Sequence, residues 1–178
     1  MMIAAPADGA GRTTLAGWLA RHAEDAGDGL VVALDANDDR ALLSWARSEG
    51  FARPITAAWD HSCTFESLSR LEDEGVALVL VDCPVADGGA ASAALLAAAD
   101  LALIVVRPQG EDLAATERLV DLVDEAGTPF VFVVNQACDD EETTAAIIFL
   151  AQHGTVSPVI LQRREALTMP KGGSGEDG

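Results

Sequence analysis

Near its start the chain reads Pro6-Ala7-Asp8-Gly9-Ala10-Gly11-Arg12-Thr13-Thr14, after a short apolar run and before a helical pattern that opens with Leu15-Ala16-Gly17. Glycines between a strand and a helix let the backbone curl so that several N–H groups face one point. The helix N-terminus adds its partial positive charge there. A hydroxyl at the start of the helix, here that of Thr13, can then reach a phosphate-bound Mg²⁺ ion. The stretch predicts a phosphate-binding loop, although taken alone such a turn can be purely structural.

Apolar runs of strand length alternate with amphipathic helical patterns through the rest of the chain. The strand candidates are Met2–Ala5, Leu30–Leu34, Pro54–Trp59, Ala77–Val81, Leu101–Val106, Phe130–Val134 and Val156–Leu161. The helical patterns are Thr13–Ala26, Asp39–Ser48, Phe65–Glu74, Ala90–Ala98, Glu111–Glu125 and Glu141–Gln152. Near-continuous apolar runs are typical of parallel strands that helices cover on both sides. The alternation predicts an α/β fold: a doubly wound, mostly parallel sheet of about seven strands with helices on both faces.

Length and composition indicate one folded domain. The chain has 178 residues, of which 49% are hydrophobic. We expect a domain over residues 1–169 and a flexible, glycine-rich tail over 170–178. No run of 18 apolar residues and no secretory signal pattern is present, so no membrane span is expected. The three cysteines, Cys63, Cys83 and Cys138, lack zinc or disulfide spacing, which favours a reducing compartment and a cytoplasmic location.

The charge balance is strongly acidic. The formal net charge is −18, with 11 lysine and arginine residues against 29 aspartate and glutamate residues. Such a surface repels nucleic-acid phosphates, and the only basic cluster near the C-terminal end is Arg163, Arg164 and Lys171. We therefore expect weak nonspecific DNA binding at most. Adaptation to high salt would produce the same acidic excess.

Six stretches follow one another in the order and spacing of a known family. They are 7–14 (ADGAGRTT), Leu34–Trp45, Val79–Pro84, Ala99–Pro108, Phe132–Asn135 and Ser157–Arg164. The first is similar to a deviant phosphate-binding loop, KGGxGKTT, and the second to the stretch DADPQGSALDW. By these motifs, which span roughly residues 2–165, the chain resembles the ParA/MinD family of nucleotide-dependent positioning ATPases. The resemblance implies a three-layer fold of the P-loop NTPase type.

The resemblance also implies a site at the carboxyl ends of the strands, with ATP and Mg²⁺ as cofactors. Thr13 would bind Mg²⁺, while Asp35 and Asp82 would hold its water shell. Adenine is expected over guanine because no Asn-Lys-x-Asp motif begins at Asn135. The implied nucleotide-binding residues are Gly9, Ala10, Gly11, Arg12, Thr13, Thr14 and Asn135, the last beside the adenine base. From the residues alone, Asp82 can also be a strand-end cap and Asn135 an ordinary loop-starting asparagine.

Three departures from the family pattern concern catalysis. Ala7 stands where the family has a lysine that acts across the dimer interface, and Arg12 replaces the loop lysine. Asn37 stands where the family has the aspartate tied to positioning the attacking water. Arg12 and Asn37 are therefore degenerate catalytic positions. Since phosphoryl transfer depends on positioning and electrostatics, hydrolysis is expected to be weak or absent.

Two functions follow as hypotheses. The first is a Mg²⁺-dependent ATPase that positions DNA or another cargo through nucleotide-dependent homodimerisation, together with an unidentified partner or cargo adaptor. The alternative is a pseudo-ATPase adaptor that binds a protein partner without turnover. A metal-cluster reductase on the same fold would need a pair of interface cysteines, which three scattered cysteines do not supply.

Overall fold

The structure is a computed structural model, and it describes residues 1–27, 29–50, 52–59, 65–84, 90–138 and 140–163. In these ranges six strands alternate with six helices. The strands are β1 (Met2–Ala4), β2 (Leu30–Asp35), β3 (Ile55–Ala58), β4 (Val76–Asp82), β5 (Ala102–Val106) and β6 (Phe130–Val134). The helices are α1 (Arg12–Ala26), α2 (Ala41–Ser48), α3 (Phe65–Asp73), α4 (Ala90–Ala97), α5 (Gly110–Ala126) and α6 (Glu141–Leu150).

The strands form one parallel sheet in the order β3-β2-β4-β1-β5-β6. Because all strands run in the same direction, every strand-to-helix connection leaves from one edge of the sheet. Strand β1 lies inside the sheet, between β4 and β5. In open sheets of this kind ligands bind beyond the carboxyl ends of the strands. The loop after β1 therefore has neighbours from both adjoining strands.

Two apolar cores cover the two faces of the sheet. Along β1 the side chains alternate, so that Met2 packs in one core and Ile3 in the other. The Ile3 core is completed by α1 and α2, and the Met2 core by residues of α4, α5 and α6, among which Leu119 is almost fully buried. The predicted α/β fold with helices on both faces is confirmed.

The helices α1 and α2 pack closely because a glycine lies between them. A Cβ atom built on Gly17 would come 2.5 Å from the ring of Trp45. Real Cβ atoms do not approach so closely, so only glycine fits at this point of α1. The contact holds α2 against α1 and thereby places the β2–α2 connection beside the glycine loop.

The predicted seventh strand, Val156–Leu161, is wrong as a strand. Val156 makes an isolated bridge to Phe132 of β6, and Gln162, just beyond this segment, makes another to Ala137. The N–H of Ser157 donates to Phe132 O at 2.8 Å, but the next such bond runs from Leu161 N to Val134 O at 2.9 Å. Four residue steps of this segment thus pass two steps of β6, and the intervening Pro158 has no N–H to donate.

The other predicted helices and strands agree with the structure, and a few residues singled out in the sequence lie outside the described ranges. Each predicted helix forms, with ends that differ by at most two residues. The strand candidate Pro54–Trp59, whose apolar pattern is weaker than the others, forms β3 at the sheet edge, where Ile55 is exposed. No helix of the described ranges is long and apolar enough to cross a membrane. The expected tail (170–178) and three residues, Cys63, Arg164 and Lys171, lie outside the described residues.

Candidate functional site

The glycine loop connects the buried end of β1 to the first turn of α1. Gly9 and Gly11 have φ values of 77° and 90°, a left-handed conformation that glycine adopts without strain. Gly11 is the N-cap residue of α1, and it supplies no side chain to cap the helix. Thr13 and Thr14 follow in the first turn and are half-buried. The free N–H groups of this turn, with the helix dipole, suit an anion such as phosphate.

Two side chains after β6 hold the backbone of the loop. Asn135 Nδ2 donates to Ala10 O at 2.7 Å, and Gln136 Nε2 donates to Gly9 O at 2.6 Å. Gln136 adopts a φ of 55°, which is uncommon for a residue other than glycine. These bonds turn two loop carbonyls toward β6, so that they do not face an anion bound over the N–H groups. Asn135 therefore positions the loop, and its contact with adenine stays a prediction.

The fit between Gly11 and Asn135 can be tested by substitution. A Cβ built on Gly11 would come 2.3 Å from Asn135 Nδ2, whereas one on Gly9 would only touch Arg107 at 3.5 Å. Both alanine variants carry the strain of a positive φ, about 1 to 2 kcal/mol. Gly11→Ala should lose about 1 to 2 kcal/mol more because it displaces the Asn135 hydrogen bond. Urea unfolding measures the difference, and equal losses in the two variants would show that Asn135 moves aside freely.

On the other side of the loop, Asp35 and Asp82 end neighbouring strands. They are paired in the register of β2 and β4, and both are fully buried. Asp35 Oδ1 accepts hydrogen bonds from Asn37 N at 3.0 Å and from Asn37 Nδ2 at 3.2 Å, while Oδ2 accepts from Leu43 N at 3.2 Å. Asp35 thus organises the connection between β2 and α2. Any role in a metal's water shell would be added to this structural one.

Asp82 is different, because neither of its oxygens accepts a hydrogen bond of good geometry among the described residues, although the Thr13 hydroxyl lies nearby. The nearest cation is Arg12, whose Nε lies 3.9 Å from Asp82 Oδ1. Burial raises the pKa of Asp82 to about 6 from its usual 3.8, and the Thr13 hydroxyl and the Arg12 guanidinium limit that rise. A buried carboxylate without partners is costly, so these oxygens suit a group that completes the site.

The Arg12 side chain points inward and is only 11% exposed. Its Nη2 lies 3.4 Å from Asn37 Oδ1 and 3.8 Å from Asp8 Oδ1, while its Nη1 is buried without a partner in the described structure. Asn37 is buried too, and its Nδ2 also donates to Asp82 O at 3.1 Å. Arg12 and Asn37 are therefore brought together with Asp82, as residues of one polar cluster under the loop.

This cluster fits a hydrated Mg²⁺ ion better than a metal bound by protein groups alone. Within the described ranges no group of three or more His, Cys, Asp or Glu residues could hold a metal. Mg²⁺ usually keeps several waters and takes one or two protein carboxylates together with phosphate oxygens. Asp82 and the Thr13 hydroxyl match that requirement, since they face each other with carboxylate oxygens to spare.

Strand β5 brings a second arginine to the loop, which the sequence reasoning missed. Arg107 Nε and Nη2 donate to the two oxygens of Asp112 at 2.9 and 2.6 Å, and Asp112 is fully buried. The signal was present, because Arg107 directly follows an apolar strand. Gln136 was missed as well, since nothing local in the sequence indicates that its amide reaches Gly9.

The remaining sequence candidates play smaller parts. Cys83 is buried at the end of β4, and burial raises the pKa of its thiol to about 12, so it stays protonated at neutral pH. Cys138 is exposed, as is Arg163, the one residue of the predicted basic cluster that the structure describes.

No family model and no curated protein matches the sequence, but solved structures do. The chain is similar to apo McdA of Cyanothece, with 15% identity and a TM-score of 0.76 over 93% of this chain and 86% of that one. A chain of the MinC:MinD cell division complex of Aquifex aeolicus has 18% identity and a TM-score of 0.75, over 92% and 81% of the two chains. A Borrelia burgdorferi protein named as a plasmid partition protein, bound to AMPPNP, has 13% identity and a TM-score of 0.71, over 93% and 85%. The chain therefore has the ParA/MinD-type fold that the sequence resemblance implied.

Proposed function

We propose that this chain of ParA/MinD-type fold binds ATP and Mg²⁺ at the loop after β1, and that nucleotide-dependent dimerisation positions DNA or another cargo. The observation that supports it most is the set of buried atoms without partners beside the loop. These are both carboxylate oxygens of Asp82 and Nη1 of Arg12. A site with unsatisfied groups of both signs suits a ligand that carries both signs, as a magnesium–nucleotide complex does.

Different groups of the chain would bind the phosphates and the metal ion. The N–H groups of the first turn of α1 would bind phosphate oxygens, while Thr13 and Asp82 would hold the ion and its water. Mg²⁺ would supply neutralisation of the phosphate charge. Asn135 and Gln136 keep the loop carbonyls turned away from the anion.

Hydrolysis is proposed to be weak or absent. The amide of Asn37 carries no charge, and its Nδ2 is already engaged as a donor to Asp35 Oδ1 and to Asp82 O. The Arg12 guanidinium is already turned toward Asp8, Asn37 and Asp82. Because the reaction depends on positioned charge, a site so arranged binds nucleotide more readily than it accelerates the attack of water.

A second candidate is the pseudo-ATPase adaptor, and the position of Arg12 favours it. The guanidinium already faces Asp8, Asn37 and Asp82, so it neutralises the acidic cluster without a ligand. In that case the fold would serve as a rigid platform for a protein partner. The acidic surface, with its net charge of −18, would then favour a basic partner.

Calorimetric titration with ATP, ADP and GTP, with and without Mg²⁺, tests the proposal. We expect Mg²⁺-dependent binding that prefers adenine, and a Thr13→Ala variant should lose about 10-fold or more in affinity through the lost magnesium ligand. Thr144→Ala is the control, since Thr144 is exposed on α6. Equal competition by GTP would refute the adenine preference. No binding at millimolar nucleotide would favour the nucleotide-free adaptor.

Parallel measurements separate the other parts of the proposal. Phosphate release by the unmodified protein should be at or near the background rate, and family-like turnover would mean that Arg12 replaces the lysine fully. Sedimentation with and without ATP reports dimerisation. Binding to random duplex DNA at physiological salt should be weak because of the acidic surface, and tight binding would contradict the charge argument.

A further inference from the structure

The glycine loop has an arginine on each side, and the two arginines differ in the groups that surround their guanidinium atoms. On the β4 side, Arg12 is surrounded by Asp8, Asn37 and Asp82. On the β5 side, Arg107 leaves the end of its strand directly beside Gly9. A Cβ built on Gly9 would lie 3.5 Å from Arg107 Nη1. The second guanidinium therefore lies close to Gly9, where only the side chain of a larger residue would touch it.

The guanidinium of Arg107 is held in one orientation. Its Nε and Nη2 form a two-point pair with Asp112, and the Arg107 N–H donates to the same carboxylate at 3.2 Å. Asp112 lies in the first turn of α5, where the helix dipole also favours a negative charge. A paired arginine loses less conformational freedom when it binds a further group, because its position is already set.

The pair with Asp112 uses Nε and Nη2 of Arg107 and leaves Nη1 unpaired. Within the described residues Nη1 makes no hydrogen bond, and the side chain remains 21% exposed. A purely structural pair that caps α5 needs only the Nε edge of the guanidinium. The edge that faces Gly9 is not needed for this pair. Basic residues are scarce in this chain, with 11 against 29 acidic ones, so a guanidinium edge without a structural role is a candidate ligand-binding group.

We propose that Arg107 is a second phosphate-binding residue, whose Nη1 contacts the polyphosphate chain of a nucleotide at the Gly9 end of the loop. The inference rests on the proposed nucleotide site and assigns to it a cation for which the family resemblance implied no role. A triphosphate carries up to four negative charges, and Arg12 is already shared among acidic and amide neighbours. A guanidinium fixed by a buried carboxylate still presents the charge-assisted N–H donors of Nη1, and it does so where the loop is most exposed.

The test compares ligands that do and do not carry a polyphosphate chain. ATP, AMP and inorganic tripolyphosphate are titrated into the unmodified protein and into the double variant Arg107→Met, Asp112→Asn. That variant removes both charges, so no buried carboxylate is left unpaired. ATP and tripolyphosphate affinity should fall about 10- to 100-fold, while AMP affinity changes less than about threefold. The ATP affinity of Arg107→Lys should lie between those of the unmodified protein and the double variant.

A control and a folding measurement keep the outcomes distinct. Arg118→Gln removes one positive charge from an exposed position of α5 and should leave ATP affinity unchanged. The thermal midpoint of each unliganded variant shows whether it is folded. If the unmodified protein binds neither ATP nor tripolyphosphate, the proposed function and this inference both fall. If it binds both and the folded double variant and Arg107→Lys bind equally well, only this inference is overturned.

Discussion

Replacing Asn37 by aspartate is expected to lower the free energy of unfolding of the unliganded protein by about 2 to 4 kcal/mol at pH 7. Asn37 Nδ2 donates to Asp35 Oδ1 at 3.2 Å and to Asp82 O at 3.1 Å. An aspartate would place an oxygen opposite two acceptors and bring a third carboxylate into a buried cluster. Arg12, 3.4 Å from Asn37 Oδ1, offsets only part of that cost.

The pH dependence of the Asn37→Asp variant follows from the same contacts. A protonated carboxyl can donate one of the two lost hydrogen bonds, so the folded state favours the neutral acid and the pKa of the new group should be raised. A group with a raised pKa stabilises the fold at low pH and loses that contribution as the pH rises. The free energy of unfolding that Asn37→Asp loses relative to the unmodified protein should therefore become smaller as the pH is lowered from 7 to 5.

Urea unfolding of Asn37→Asp and Asn37→Ala at both pH values checks this expectation. The alanine variant removes the donor without adding charge, so the difference between the two variants isolates the carboxylate. An aspartate variant as stable as the parent at pH 7 would contradict the argument.

The result also bears on catalysis, because Asn37→Asp with Arg12→Lys and Ala7→Lys is the combination expected to restore hydrolysis. Its gain has to survive this loss of stability, and the three effects should be strongly non-additive.

Asp82→Asn should have the opposite effect and raise the free energy of unfolding at pH 7 by about 1 to 3 kcal/mol. Burial raises the pKa of Asp82 to about 6, with smaller opposing contributions from Thr13 and Arg12. The neutral form is thus favoured in the folded state. Its stabilising contribution is present below pH 4 and is lost as the pH rises through about 6. Asparagine cannot ionise, so the variant avoids this loss.

The difference in stability between Asp82→Asn and the parent should grow from pH 4 to pH 7, as measured by urea unfolding without nucleotide. Asp112→Asn is the matched control, because Asp112 is equally buried but has two short bonds from Arg107. It should destabilise the protein, since it breaks that pair. If Asp82→Asn loses as much stability as Asp112→Asn at pH 7, Asp82 is better satisfied than its surroundings indicate. A stabilised Asp82→Asn that also loses Mg²⁺-dependent ATP binding would show stability given up for function.

The proposed site could be predicted only in part from the sequence. The glycine loop, the hydroxyl of Thr13 and the buried carboxylates all lie at the carboxyl edge of the sheet, where they were expected. Their partners were not foreseen. Asp35 is engaged by the β2–α2 connection, and Asn135 holds the backbone of a loop 125 residues earlier in the chain. Arg107 lies within the family-like stretch Ala99–Pro108, but the resemblance implied no role for it, and Gln136 lies outside all six stretches.

The sequence by itself determined the helices and strands and the class of fold, because apolar periodicity and glycine turns depend only on residues that are neighbours in the chain. It overestimated the sheet by one strand, since an apolar run does not reveal that two extra residues and Pro158 prevent continuous pairing with β6. The tertiary structure alone decided which side chains meet. The order β3-β2-β4-β1-β5-β6 places the loop after β1 between Asp82 on β4 and Arg107 after β5. Hydrogen bonds and ion pairs depend on distances of a few ångströms, and only the packing of distant strands sets those distances.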